Sequence, residues 1–187
     1  MTCRSIEQWF TGSAIEAGSV VFEAESIESA VSYISGQING DLILPVFESS
    51  VRAGLPALLE RKGFRLITDN FRRLGPEAEG GITGVNFAIA ETGTIVIESP
   101  SEPIRLASSL PEKHFVLLDR RKIIENSASA VPIIRKIDRK MSKNFIAYIT
   151  GPSRTADIER VLTIGVHGPR ELHIIILANF SEDLMES

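Results

Sequence analysis

The chain has 187 residues, 43% of them hydrophobic and 24% charged, the proportions of one soluble globular domain. A formal charge of −4 at pH 7 argues against nucleic acid or an anionic membrane surface as a partner, and no apolar run approaches the roughly 20 residues of a membrane span. The single cysteine, Cys3, excludes an internal disulfide, a cysteine-ligated iron–sulfur cluster and a cysteine-based zinc site, since each needs several sulfurs.

Residues 1–9 lack the basic start and apolar stretch of a signal peptide, so a cytoplasmic location is expected. Residues 1–18 read as a mobile or partner-contacting segment ahead of a single domain. Residues 19–24 are strand-like. Ser26 then stands where a cap would, before Ile27, Ala30, Val31 and Ile34 at helical spacing. Residues 41–46 predict a strand that Pro45 ends or confines to an edge. Residues 48–62 predict one helix, with Val51, Leu55, Leu58 and Leu59 as its stripe and Gly63 at its C-terminal cap. A strand over 64–68 and an exposed loop over 75–80 follow. Residues 86–98 hold two strand-like runs around Glu91-Thr92-Gly93, the pattern of a tight hairpin. Residues 114–118 predict a strand. Residues 129–141 predict a helix with Ile134, Ile137 and Met141 on one face; Pro132 fits its first turn behind a cap at Ser127 or Ser129. Strands over 145–150, 161–166 and 171–177 complete the chain. This alternation argues for an α/β fold: a Rossmann-like open, mostly parallel sheet with helices on both faces and an antiparallel addition from the late strand pairs.

Three constellations carry chemistry. Gly151-Pro-Ser-Arg-Thr155 follows a strand, where backbone N–H groups with Ser153, Arg154 and Thr155 are placed to hold a phosphate or carboxylate. The competing reading is that Ser153 or Thr155 caps a short helix, with Asp157 and Glu159 in its first turn repelling an anion. The glycine and lysine of a P-loop are missing. Glu91, at a strand tip braced by Thr92, Gly93 and Thr94, fits a nucleophile or general base, or a solvated turn residue. His167 and His173 flank Gly168-Pro169-Arg170 but lack the compact spacing of a zinc site, so no metal is expected. Arg170 is the better candidate, as an anion clamp facing residues 153–155. Gly80-Gly81-Ile82-Thr83-Gly84 leads into a strand rather than a helix, and the basic clusters at 120–122 and 135–140 read as solvated faces or a protein contact.

Residues 81–97, beginning Gly81-Ile-Thr-Gly-Val-Asn86, then Gly151-Pro-Ser-Arg-Thr-Ala-Asp157 and Gly165-Val-His-Gly-Pro-Arg170, in this order, resemble the LUD-domain family, the family of lactate-utilization protein C. The resemblance covers most of residues 80–177. It implies a fold like the NagB/RpiA/CoA-transferase group and a part in oxidising L-lactate to pyruvate. It also implies iron–sulfur partner subunits that carry the clusters, in keeping with a lone cysteine here and no cofactor in this chain. On this reading the chain is an accessory subunit that binds a small anionic metabolite where the Glu91 turn meets the Ser153-Arg154-Thr155 loop. Asn86, Thr92, Gly93, Asp157, His167 and Arg170 would lie nearby. In similar CoA transferases a glutamate near a Glu-X-Gly turn forms a covalent thioester. The alternative is therefore a stand-alone CoA-transferase-like or sugar-phosphate-acting enzyme using Glu91.

Overall fold

Two apolar runs, β7 (Lys113–Asp119) and β12 (Glu171–Leu177), form the centre of the molecule, and in each every residue but the first is buried. Strands apolar on both sides belong inside a parallel sheet covered on both faces, and these two pair in parallel with His114 opposite Leu172. β1 (Val20–Ala24) adds beside β12. β4 (Gly80–Gly84), β2 (Leu42–Ile43) and β3 (Leu66–Ile67) add beyond β7, giving an all-parallel sheet of order β1-β12-β7-β4-β2-β3. The computed structural model describes residues 5–99, 101–138, 145–155 and 163–184.

Strand alternation sorts the core into layers. One face presents Ala24, Ile82, Phe115, Leu117, Ile175 and Leu177 to α2 (Ile27–Gln37) and α4 (Leu55–Arg61). The other presents Val116, Leu118, Leu172, Ile174 and Ile176 to α1 (Ile6–Glu16), α6 (Glu102–Ser109) and a second sheet. That second sheet has the order β8-β5-β6-β9, from Ile123–Ile124, Phe87–Ile89, Thr94–Glu98 and Ile146–Ile149. Its inner side gives Ala88, Ile95 and Ile97 to the shared core, and its outer side packs Phe87, Ile89 and Val96 on α7 (Ser127–Asp138). The expected mostly parallel α/β sheet is present. The antiparallel addition is a separate layer, with β5–β6 and β6–β9 antiparallel, rather than an extension of the first sheet.

Several local expectations are corrected. The helix over 48–62 is two, α3 (Glu48–Arg52) and α4, because Gly54 stands at φ +64° and breaks the turn between them. Residues 71–77 form α5 (Phe71–Leu74) and a short 3-10 turn, and the Gly80–Gly84 stretch is itself β4 rather than an approach to a strand. Pro132 is the sixth residue of α7, not in its first turn; Asn126 is the cap, its side-chain oxygen accepting from the Ser129 N–H at 3.0 Å. Within residues 5–18, α1 is capped at Ser5 by a reciprocal pair with Gln8 and buries Phe10 and Ala14 completely, so this stretch is part of the core rather than a mobile lead-in. Met141 lies outside the described residues.

Candidate functional site

The first sheet and the second meet at a cavity of about 340 Å³ beside the amino ends of β7 and β12, within the roughly 300–1,000 Å³ of small-molecule sites. Gly81 lies opposite His114 in the sheet, and a Cβ on it would stand 2.1 Å from the Ala107 carbonyl oxygen. Only glycine lets α6 approach β4 this closely, and the approach brings Ser108 and Ser109, at the end of α6, to the cavity wall. The opposite wall is Tyr148, Ile149 and Thr150 from the end of β9, then Gly151, Pro152 and Ser153. His167, Gly168 and Pro169 close it. These last two segments are stitched together: the Ser153 N–H donates to the Pro169 carbonyl and the Gly165 N–H to the Ser153 carbonyl, both at 2.9 Å.

His114 is the buried polar group of this wall, 1% exposed. The Thr83 hydroxyl lies 2.8 Å from its Nε2, while Nδ1 is buried without a hydrogen-bond partner among the described residues. Burial pushes its pKa down from 6.5 to about 3, so the ring is neutral at physiological pH. No lysine, arginine, aspartate or glutamate is among the lining residues that are described. The described lining offers hydroxyls, backbone amides and a neutral imidazole, with apolar surface from Ile149, Leu172 and the two prolines.

The residues singled out in the sequence distribute as follows. Ser153 and His167 line the cavity. Thr92 reaches it indirectly, through a hydroxyl chain from Thr92 to Thr94 (2.6 Å) to Thr150 (2.7 Å). Arg154 is exposed and donates from Nη2 to the Ala17 carbonyl at 3.0 Å, next to Gly151. Arg154 and Thr155 form β10, paired antiparallel with β11 (Thr163–Ile164); the short helix that Ser153 or Thr155 would cap falls on residues outside the described ones. Asp157 lies outside the described residues. Arg170 is paired with Glu112 at 3.4 Å and enters a different cavity, of about 540 Å³, together with Glu77, Glu79 and Glu112. Three carboxylates there oppose an anion, and Arg170 is not turned to residues 153–155 as a clamp.

Glu91 is exposed on the hairpin; its carboxylate accepts from the Ser127 N–H at 3.4 Å, in the first turn of α7, and it does not line the cavity. Asn86 is fully buried and spent on the backbone, accepting from the Glu98 N–H at 2.6 Å and donating to the Leu184 carbonyl at 2.5 Å. Gly93 has φ +63°, as a tight turn requires. His173 sits on the other face of the sheet between Tyr33 and Glu171, each at 2.8 Å, and no group of metal-ligating side chains occurs among the described residues.

The gathering at the amino ends has a topological cause. Ligands of open α/β sheets collect at the carboxyl ends of the strands, and Gly151–Ser153 does follow the carboxyl end of β9. But β9 belongs to the second sheet, and its loop crosses the amino ends of the first. His114 and Thr83 went unread as site residues because each stands in an apolar strand with no spacing motif. The available signal was a polar residue inside a run bound for the core.

The LUD domain family model matches residues 8–177. An uncharacterized protein of Neisseria meningitidis serogroup B is 37% identical over 99 residues, covering 53% of this chain and 42% of that one. Lactate utilization protein C of Bacillus subtilis is 35% identical over 105 residues, 55% of this chain and 44% of that one. The protein of the same name from Anoxybacillus flavithermus is 29% identical over 160 residues, 83% and 71% of the two chains. The matched part thus spans less than half of the first two relatives. A crystal structure of a DUF162 family protein from Deinococcus radiodurans has the same fold, with a TM-score of 0.67 and 20% identity over 92% of this chain and 96% of that one.

Proposed function

Because this chain belongs to the LUD-domain family, we propose that it serves lactate utilization as a binding subunit that holds a small organic acid in the cavity between its two sheets. The relatives named lactate utilization protein C support the process. One observation carries the site: the three segments that bear the family resemblance all build this single cavity. Gly81 and Thr83 seat α6 and His114, Gly151–Ser153 forms one wall, and His167, Gly168 and Pro169 close it beside Leu172.

The ligand's carboxylate sits at the mouth, where His167 is exposed and the Arg154 guanidinium lies beside Gly151. The remainder of the molecule turns inward toward Leu172 and His114. At about 340 Å³ the cavity falls in the size range of small-molecule sites, with room for lactate and for longer acids. A chain with one cysteine leaves electron transfer to iron–sulfur partner subunits.

Thermal-shift and calorimetric titration with L-lactate, pyruvate and longer 2-hydroxy acids tests the site. A saturable rise in Tm, lost in Ser153→Trp, supports it, and no shift with any of these acids overturns it. A pull-down from lactate-grown cells that recovers no iron–sulfur protein removes the partner part of the reading.

A further inference from the structure

The carboxyl ends of the parallel sheet, where open α/β folds gather their ligands, are covered by the chain itself. After β12 ends at Leu177, Asn179 adopts φ +56° and residues 178–184 cross the ends of β7 and β4. The Ser181 N–H donates to Asp119 Oδ2 at 2.8 Å, at the last residue of β7. The Leu184 carbonyl accepts from Asn86 Nδ2 at 2.5 Å, two residues past β4. Between these points Glu182 pairs with Arg121, whose Nε and Nη2 also grip the Asp119 carboxylate. Phe180 packs on the core layer beneath α2 and α4, and Leu184 on the cluster of Phe87, Ile89 and Val96.

We propose that residues 178–184 are a strap that opens as a unit while both sheets stay folded, admitting small molecules to Asn86 and Asp119 at the carboxyl ends of β4 and β7. Two observations carry this. The segment contains no helix or strand, so no ladder of backbone hydrogen bonds resists its lifting. What it covers is polar: Asn86 is fully buried and Asp119 is 1% exposed, although such side chains ordinarily stay in water. Lifting the strap returns the Ser181 N–H and the Leu184 carbonyl to water and leaves the Asn86 amide and an Asp119 oxygen facing the gap. The closed strap thus supplies the acceptor and the donor that an entering molecule has to bring. Opening strands no buried charge, because Arg121 belongs to the 3-10 turn after β7 and keeps its hold on Asp119 when the strap leaves. The strap lies at the opposite end of β7 and β12 from the cavity described above, and the two stand or fall separately.

Amide hydrogen exchange followed by NMR on the wild-type chain tests the strap without any substitution, comparing Ser181 with Ile174, Ile175 and Ile176 of β12. The Ser181 N–H is expected to exchange at least about a hundredfold faster than those three, at a rate that low urea leaves unchanged, as local opening requires. Access is measured separately with Ser181→Cys in a Cys3→Ser background. The Ser181 hydroxyl is buried with no hydrogen-bond partner among the described residues, so a thiol there costs no bond. Iodoacetamide should alkylate the thiol at position 181 slowly but completely under native conditions. The rate should rise about tenfold with Leu184→Ala, which loses the apolar anchor, and about two- to fivefold with Glu182→Gln. Exchange of Ser181 in step with β12, at equal rate and equal urea dependence, overturns the inference, because the segment then leaves only when the whole domain unfolds. Exchange as fast as in an unstructured peptide overturns it too, since nothing is then latched. So does alkylation that neither substitution speeds. If Ser181→Cys does not fold, the wild-type amide exchange decides alone.

Discussion

Replacing Gly93 by alanine separates two physical demands that meet at the hairpin. The residue has φ +63°, and a Cβ there would lie 2.3 Å from the Ala14 nitrogen and 2.5 Å from the Ala14 Cα. Those atoms are backbone of α1 around a fully buried residue, so no rotamer change relieves the contact. The left-handed conformation costs an alanine about 1–2 kcal/mol, and forcing a packed element to shift costs about 1–3 kcal/mol more. The expected loss is about 2–5 kcal/mol, or roughly 4–20 °C in Tm for a domain of this size. Gly54→Ala is the control: φ is +64°, nothing lies within 4 Å of its Cβ, and only the conformational part of roughly 1–2 kcal/mol is lost. Urea unfolding followed by circular dichroism gives both losses. The single tryptophan, Trp9, lies on α1, so its fluorescence maximum reports whether the helix is displaced in folded Gly93→Ala. Equal losses in the two variants would refute the reasoning, because the close approach of the hairpin to α1 would then contribute nothing.

The buried His114 also predicts a pH dependence. The unfolded chain takes up its proton below about pH 6.5 while the folded chain refuses it down to about 3, so stability is full above this range and falls on acidification. The slope is at most ~1.4 kcal/mol per pH unit from this residue. Urea midpoints at pH 7 and 5 should converge in His114→Gln relative to wild type, though burial also lowers the pKa of His173, which keeps part of the slope; an unchanged slope contradicts the assignment. Burial raises the pKa of Asp119, yet hydrogen bonds from Arg121 and the Ser181 N–H outweigh it and hold the carboxyl below its ordinary range. Asp119→Asn should therefore lose roughly 1–3 kcal/mol at pH 7, a difference that shrinks as the pH falls below about 4; a constant difference down to pH 3 argues against it. In the cavity, each methylene added to a 2-hydroxy acid beyond lactate should tighten binding about fourfold until the space is filled, at ~0.8 kcal/mol per buried methylene; weaker binding of the four- and five-carbon acids would show the cavity walls are misread. Glu91→Gln should leave acid binding unchanged, and acyl-CoA followed by hydroxylamine should leave Glu91 unmodified; hydroxamate at Glu91 would instead establish the transferase alternative.

Elements whose signal is local were legible. Ser26 caps α2, with its side chain accepting from the Ser29 N–H, and Ile27, Ala30, Val31 and Ile34 pack as their spacing requires. Gly93 turns the hairpin between β5 and β6. α6 was not legible, because Pro103 and a short amphipathic stretch give no distinct period until Ile104 and Ala107 are pressed onto the sheet. The Pro132 placement failed for a similar reason: the helix begins two residues earlier than expected, behind a cap on Asn126. In the candidate site, Ser153 and His167 were legible as polar loop residues. His114 and Thr83 were not, since a strand polar residue declares its role only through what faces it.

Periodicity, capping residues and the turn glycine thus determined by themselves that this chain is an α/β domain with a hairpin near Glu91, because those forces act within a few residues. Tertiary structure alone decided where the candidate cavity lies. That depended on β9 joining β6 across about fifty positions of sequence and on β12 inserting between β1 and β7. Only those long-range pairings bring residues 150–153 and 167–169 over the amino ends of a sheet whose central strand holds an imidazole out of water.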